Sequence, residues 1–141
     1  MTEPTSPLDS DDLRILAEIG FMGAQSGQAP AARALFEALA VLRPLSTLPH
    51  IGLAQAAMGA NKNQEGVRIL REALKKHPGD VELTAFLGLA LHASGEAAQA
   101  RKMMNTVIEK ASEADATSVA MARKLLALDS MGTPRPLGQI A

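Results

Sequence analysis

Few residues of this chain could do chemistry, and their spacing does not bring them together on one helix. The three histidines, His50, His77 and His92, are not spaced at i, i+3 or i, i+4, the intervals that present two imidazoles to one metal ion. The sequence contains no cysteine, which excludes thiol ligands and disulfides. We therefore predict neither a bound metal nor a cofactor.

Catalytic and nucleic-acid-binding patterns are equally weak. The sequence shows no phosphate-binding glycine loop, no nucleophile with a base and an orienting residue, and no carboxylate dyad. A basic strip is formed by Arg68, Arg71, Lys75 and Lys76. Because no aromatic residues interleave with it for base stacking, a solvated helix face partly paired with Glu65 and Glu72 explains it better than a nucleic-acid site. The protein is predicted not to be an enzyme.

Composition and net charge further restrict the class of protein. The chain has 141 residues, which is the size of one domain, and is 47% hydrophobic but only 2% aromatic, with a net charge of −1. That charge gives no global attraction to nucleic acid or membrane, and no apolar run approaches the length of a membrane span. The acidic, Pro-containing residues 1–12 lack the features of an export signal. A cytoplasmic location is expected.

The elements that position the remaining residues follow a 34-residue register that runs three times through the chain. Gly27, Asn61 and Gly95 are 34 residues apart, as are Ala32, Gly66 and Ala100, and so are the helix-ending Pro44 and Pro78. Gly at two of the turns and Asn at the third suit a positive φ. Positions are counted within each repeat from residues 13, 47 and 81. The eighth residues are small (Gly20, Ala54, Gly88) and are predicted to face small twentieth residues (Ala32, Gly66, Ala100), which permits close helix approach.

This pattern resembles the tetratricopeptide repeat, and the resemblance implies an all-α fold, a right-handed α-solenoid of three helix pairs plus a C-terminal capping helix. The predicted organisation is a flexible leader (1–10), a repeat domain over residues 11–129 and a loose tail (130–141). Within the domain we predict repeats at about 13–46, 47–80 and 81–114 and a cap helix at 115–129. Helices are expected near 11–25, 30–42, 49–60, 63–76, 81–94, 97–111 and 116–128, with Asp80 and Asp115 as N-caps and Pro30 and Pro49 in first turns.

In such a repeat the concave face is built largely from positions 2, 5, 9 and 12 of each first helix. The predicted partner-binding groove is lined by Ala17, Phe21, Ala24, Ile51, Gln55, Met58, Ala85, Leu89 and His92. For Ala17, Ala24 and Ala85, ordinary core packing is an equally good explanation. The lining is mostly aliphatic, and it lacks the Lys, Arg and Asn clamp for acidic chaperone tails. It suits an amphipathic helix or an extended apolar segment.

Among repeat families, the chain resembles the small tetratricopeptide chaperones of bacterial type III secretion. The resemblance rests on the segments 34–42 (ALFEALAVL), 52–53 (GL) and 86–90 (FLGLA). It implies a non-catalytic chaperone whose groove holds an aggregation-prone secreted subunit, either the needle subunit, with a second small co-chaperone, or a translocator. The competing hypothesis is a general scaffold or assembly factor that bridges proteins in a bacterial complex. Neither nucleic acid nor membrane is predicted as a partner.

Overall fold

Seven α-helices make up residues 9–131, the part of the chain that the computed structural model describes. They are α1 (Ser10–Gln25), α2 (Ala29–Leu42), α3 (Leu48–Gly59), α4 (Asn63–Lys76), α5 (Val81–Ala93), α6 (Ala97–Lys110) and α7 (Ala116–Met131), with a short 3-10 turn at Glu113–Asp115. All seven predicted helices are present, and their ends differ from the prediction by a few residues at most. Most of the predicted leader (1–10) and tail (130–141) lies outside the described residues, but α1 already begins at Ser10 and α7 extends to Met131.

Local chemistry accounts for the helix starts. Asp9 caps α1, since its carboxylate accepts a hydrogen bond from the Asp12 backbone N–H at 2.8 Å. Asp80 caps α5 as predicted, accepting from the Leu83 N–H at 2.8 Å. Before α7, the Asp115 carboxylate accepts hydrogen bonds from the Ser112 backbone N–H and hydroxyl, which organises the 3-10 turn that leads into the helix.

The three predicted turns adopt the left-handed conformation. Gly27 and Gly95 have φ of 83°, and Asn61 is at 64°, the only non-glycine residue with positive φ within residues 9–131. These turns join α1 to α2, α3 to α4 and α5 to α6, so the repeat register marks the centre of each helix pair. Pro44 and Pro78 follow the ends of α2 and α4, as predicted.

The helices form two compact units, which are described separately. The first ends at His77 and contains α1 to α4; the second begins at Pro78 and contains α5 to α7. In the first unit, α2 and α4 both pack on α3, and α1 packs on α2 and α3. In the second unit, α7 packs on both α5 and α6. The predicted repeat domain over 11–129 and the handedness of the solenoid stay predictions.

Phe36 is the centre of the first unit's core. Its ring is fully buried and lies against Phe21, with the ring centroids 4.9 Å apart. A Cβ placed on Gly20 would come within 2.7 Å of the ring atom Cζ, and one on Gly52 would also collide with the ring. The small residue Gly20 therefore makes room for Phe36 rather than for the predicted Ala32. In the second helix pair, by contrast, Gly66 does approach Ala54, whose carbonyl oxygen lies 3.3 Å from a Cβ built on that glycine.

The second unit closes its core with the cap helix. Buried residues from three helices meet there: Ala85 from α5, Met104 and Val107 from α6, and Ala122 from α7. Partly buried Val119, Leu125 and Leu126 of α7 pack around them. Within residues 9–131, no helix is both long enough and apolar enough to cross a membrane.

Candidate partner-binding surface

The residues predicted to line a groove divide by repeat position. At the fifth position, Ala17, Ile51 and Ala85 are only 1%, 1% and 0% exposed. Ala17 and Ala85 take the core packing that the sequence left open as the alternative, whereas the prediction that Ile51 lines an open surface is wrong. For Ala17 and Ala85 the reason is visible in each unit: α3 packs on α1 and α7 packs on α5, and Ala56 and Ala122 of these two helices lie in the same buried clusters. Ala17 and Ala85 are members of the two hydrophobic cores.

The ninth position remains accessible in all three repeats. Phe21, Gln55 and Leu89 are each half-buried, on α1, α3 and α5 respectively. Phe21 and Leu89 are large apolar side chains, whereas Gln55 is polar. Each of the three side chains is partly accessible to solvent. The ninth position is therefore the best candidate for partner contact, although that contact stays a prediction.

Phe21 has a structural role as well. Its ring packs against the core cluster that contains Phe36, at an interplanar angle of 51°. Offset or tilted aromatic pairs contribute about 0.5–1.5 kcal/mol beyond their buried area. Replacing Phe21 will therefore disturb the core of the first unit as well as its surface, and Leu89 is the cleaner probe of binding.

Gln55 carries an unusual feature for a half-buried residue. Its side-chain oxygen Oε1 is buried and accepts no hydrogen bond from any group in residues 9–131. A buried acceptor without a donor costs roughly 1–3 kcal/mol. A donor supplied by a bound peptide backbone is one way to recover that cost, because an extended or helical-end segment presents free N–H groups.

The twelfth position is less uniform. Met58 is half-buried, and its Cγ lies 3.0 Å from a Cβ built on Gly66, so part of the side chain packs between α3 and α4. His92 is half-buried against residues of α6 and α7, including Met104 and Leu125. Ala24 lies in α1, but its side chain is outside what the structure describes.

The second positions of the three repeats differ in character. Arg14 and Glu82 are exposed, whereas Leu48 is half-buried against the first unit's core. Desolvation by its surroundings raises the pKa of the Glu82 carboxyl, and the nearby carboxylates of Asp80 and Asp115 raise it further. Carboxylates at this end of α5 thus oppose one another.

The histidines do not form a metal centre in the described residues 9–131, where no three His, Cys, Asp or Glu side chains are placed to hold an ion. The structure does bring His50 near His77 and Lys76. Burial lowers the pKa of His50, and the positive charges of Lys76 and His77 lower it further. All three residues belong to the first unit.

Comparison with solved structures places the fold among tetratricopeptide-like chaperones of type III secretion. The translocator chaperone SycD of Yersinia enterocolitica matches with a TM-score of 0.68 and 19% identity, over 89% of this chain and 97% of SycD. PcrH of Pseudomonas aeruginosa matches with a TM-score of 0.70 and 18% identity, over 87% and 95%. The structure of PcrH in complex with the chaperone-binding region of PopB matches with a TM-score of 0.66 and 18% identity, over 87% of this chain and 98% of PcrH.

Such low identities show the fold alone, but the sequence itself identifies the family. Residues 6–131 match the family model described as bacterial type III secretion protein (HrpB1_HrpK). Because this match spans most of the chain, the protein belongs to that family. A comparison with curated proteins finds no significant match.

Proposed function

We propose that this protein is a non-catalytic, cytoplasmic chaperone of a type III secretion system that holds an aggregation-prone segment of a secreted subunit. The observation that carries the proposal is the fold shared with PcrH, which has been solved in complex with the chaperone-binding region of PopB. Membership of a type III secretion family supports the same system for this chain. The client is an amphipathic helix or an extended apolar segment, since apolar side chains stand at two of the three ninth positions.

The contacts proposed for the client are the ninth-position residues Phe21, Gln55 and Leu89, with Met58 and His92 beside them. Buried apolar area on Leu89 and Phe21 supplies affinity, at about 25 cal/mol per Å². Gln55 supplies register when its side chain turns so that the buried Oε1 atom accepts a hydrogen bond from the client. Whether the client is a translocator or a needle subunit decides whether a second small co-chaperone takes part.

Co-expression with a secreted helical subunit encoded nearby tests this function. We expect a stoichiometric soluble complex, a higher soluble yield of the client and protection of its apolar segment from protease. Leu89→Glu should abolish the complex, because an unpaired charge in a desolvated contact costs several kcal/mol. Ala98→Glu, on the exposed start of α6, introduces the same charge and should have no effect.

Two outcomes would contradict the proposal. If Leu89→Glu binds the client as the wild type does while remaining helical by circular dichroism, the ninth position is not the contact. If the protein is recovered with the cell envelope and joins two folded partners at once, the scaffold hypothesis becomes the better account. That alternative keeps support from the family description, which names the secretion system without naming a chaperone.

A further inference from the structure

A cleft in the first unit shares no residue with the proposed client surface. It opens between α2 and α4, which both pack on α3. Its volume is about 280 Å³. This is at the lower end of the range for ligand pockets, roughly 300–1,000 Å³, and it accommodates one or two side chains of a peptide.

The interior of the cleft is apolar. Ala56 and Ala57 of α3 form its base, and their short side chains give it depth. Pro30 of α2 and Ile69 of α4 stand on opposite sides, with Leu53 between them on α3. The shape and chemistry are complementary to a branched aliphatic side chain such as that of leucine or isoleucine.

The rim of the cleft is charged, and its charges do not balance. Arg33 of α2 engages both rim carboxylates, Glu37 at 3.0 Å and Glu65 of α4 at 3.3 Å. Lys62, in the turn before α4, forms no ion pair with any group in residues 9–131, and it lines the cleft. Arg68 reaches Glu65 only at 3.9 Å and its side chain is 68% exposed. The rim thus holds three cations and two carboxylates, and because Arg33 pairs closely with both carboxylates, the excess positive charge lies at Lys62 and Arg68.

We propose that this cleft is a second protein-binding site, which takes an aliphatic anchor residue flanked by carboxylates from a partner peptide. The anchor fills the apolar interior, where its burial removes aliphatic surface from water. The flanking carboxylates pair with Lys62 and Arg68, which gives charge-assisted hydrogen bonds without breaking the pairs of Arg33. A basic flanking residue would instead face an excess of positive charge.

The cleft and the proposed client contacts share no residue, so the inference includes occupation of both by partners at the same time. A chaperone with two such surfaces can hold a secreted subunit while it is recognised by an acidic segment of another protein. This inference does not depend on the identity of the client.

The test uses the full-length protein and a blocked synthetic nonapeptide with one central leucine flanked by aspartates. Two matched peptides serve as controls, one with serine in place of leucine and one with lysines in place of the aspartates. Methyl NMR spectra should show shifts at Leu53 and Ile69 with the first peptide and not with the controls. The methyl signals of Leu87, which lies in the second unit, should not shift and serve as the internal reference.

Two double variants test whether the charges of Lys62 and Arg68 contribute to peptide affinity. Lys62→Glu combined with Arg68→Glu should weaken peptide binding by about tenfold or more, which corresponds to a loss of ~1.4 kcal/mol. Lys102→Glu combined with Arg123→Glu makes the same charge change at exposed positions of the second unit and should leave affinity within about twofold. Binding should also weaken as salt is raised.

Several results would overturn the inference. These are absence of saturable peptide binding, methyl shifts that bypass Leu53 and Ile69, or equal loss with the two double variants. Loss of the secreted client in the Lys62→Glu, Arg68→Glu protein would show one shared site and would equally refute a second one. Failure of the client complex in wild-type protein, with the peptide still bound at Leu53 and Ile69, would refute the chaperone proposal alone.

Discussion

The surroundings of one residue, Phe36, explain the sequence of two neighbouring helices. The chain contains only three phenylalanines and no tryptophan or tyrosine, and this ring fills the space that Gly20 and Gly52 leave open. The sequence predicted that a small residue is needed where Gly20 stands, because the repeat requires close helix approach. It did not predict that a ring occupies the space, because a helical pattern defines a face but not which residue of the facing helix fills it.

Substitution of Gly52 tests this packing. A Gly-to-Ala change inside a helix ordinarily stabilises by about 0.5–1 kcal/mol. At Gly52 the sign should reverse, with a loss of about 1–3 kcal/mol, because the new Cβ collides with the Phe36 ring. Chemical denaturation measures the difference. Gly79→Ala is the control, since a Cβ there meets nothing within 4 Å, and it should be tolerated.

The Glu82 carboxyl gives a pH-dependent prediction at the same scale. Its pKa is raised in the folded protein by desolvation and by Asp80 and Asp115. Between the unfolded and folded pKa values the native state therefore binds more protons, so stability falls as pH rises through that window. Glu82→Gln removes the penalty: the variant should melt higher than wild type at neutral pH and equally below about pH 4.

The control for that experiment is Glu109→Gln on the exposed face of α6, which should give a pH profile parallel to that of wild type. If Glu82→Gln also runs parallel to wild type from acidic to neutral pH, the neighbouring carboxylates do not act on Glu82 in the way inferred.

At the scale of helices, the sequence was a good guide to existence and extent. The turns at Gly27, Asn61 and Gly95, and the prolines after α2 and α4, are local signals that act through backbone conformation. Which faces stay open was harder to predict. Ile19 and Leu87 occupy the same repeat position, yet Ile19 is 51% exposed and Leu87 only 5%.

The same limit explains why the sequence left Ala17 and Ala85 undecided between core and groove. Ala17 and Ala85 are covered because α3 and α7 pack over them, and this depends on the helix that follows rather than on the residue itself. The sequence predicted a C-terminal capping helix and left Ala85 equally open to core packing or groove lining, without deciding that the cap covers it. A signal was available, since α7 stands where the first helix of a fourth repeat would begin.

A matched pair on α7 tests the cap. Ala122 is fully buried among Ala85, Met104 and Val107, so Ala122→Asp places an unpaired charge in this core. The expected loss of stability is on the order of 3 kcal/mol, and the exposed core should promote association in light scattering. Ala120→Asp, on the exposed side of the same helix, should change neither property by much. Equal effects of the two substitutions would contradict the assigned packing of α7.

At the scale of the whole molecule, composition sets the character of the protein. Nearly half of the residues are hydrophobic, but aromatic side chains are rare, so alanine, leucine and methionine supply most of the buried surface. Function at this scale was accessible from the sequence through the resemblance to type III secretion chaperones, and the family match confirms that system. The client stays beyond the reach of one sequence, because a half-open apolar surface admits many segments.

Occupancy of that surface should stabilise the protein as a whole. A ligand that binds only the folded state raises stability by RT ln(1 + [L]/Kd), which is about 2.7 kcal/mol at a hundredfold excess over Kd. The secreted client should therefore raise the melting temperature in a concentration-dependent way. Ala98→Glu should keep this shift and Leu89→Glu should lose it. If Leu89→Glu keeps a shift as large as that of Ala98→Glu, the client stabilises the folded protein through another surface, and the ninth position is not its contact.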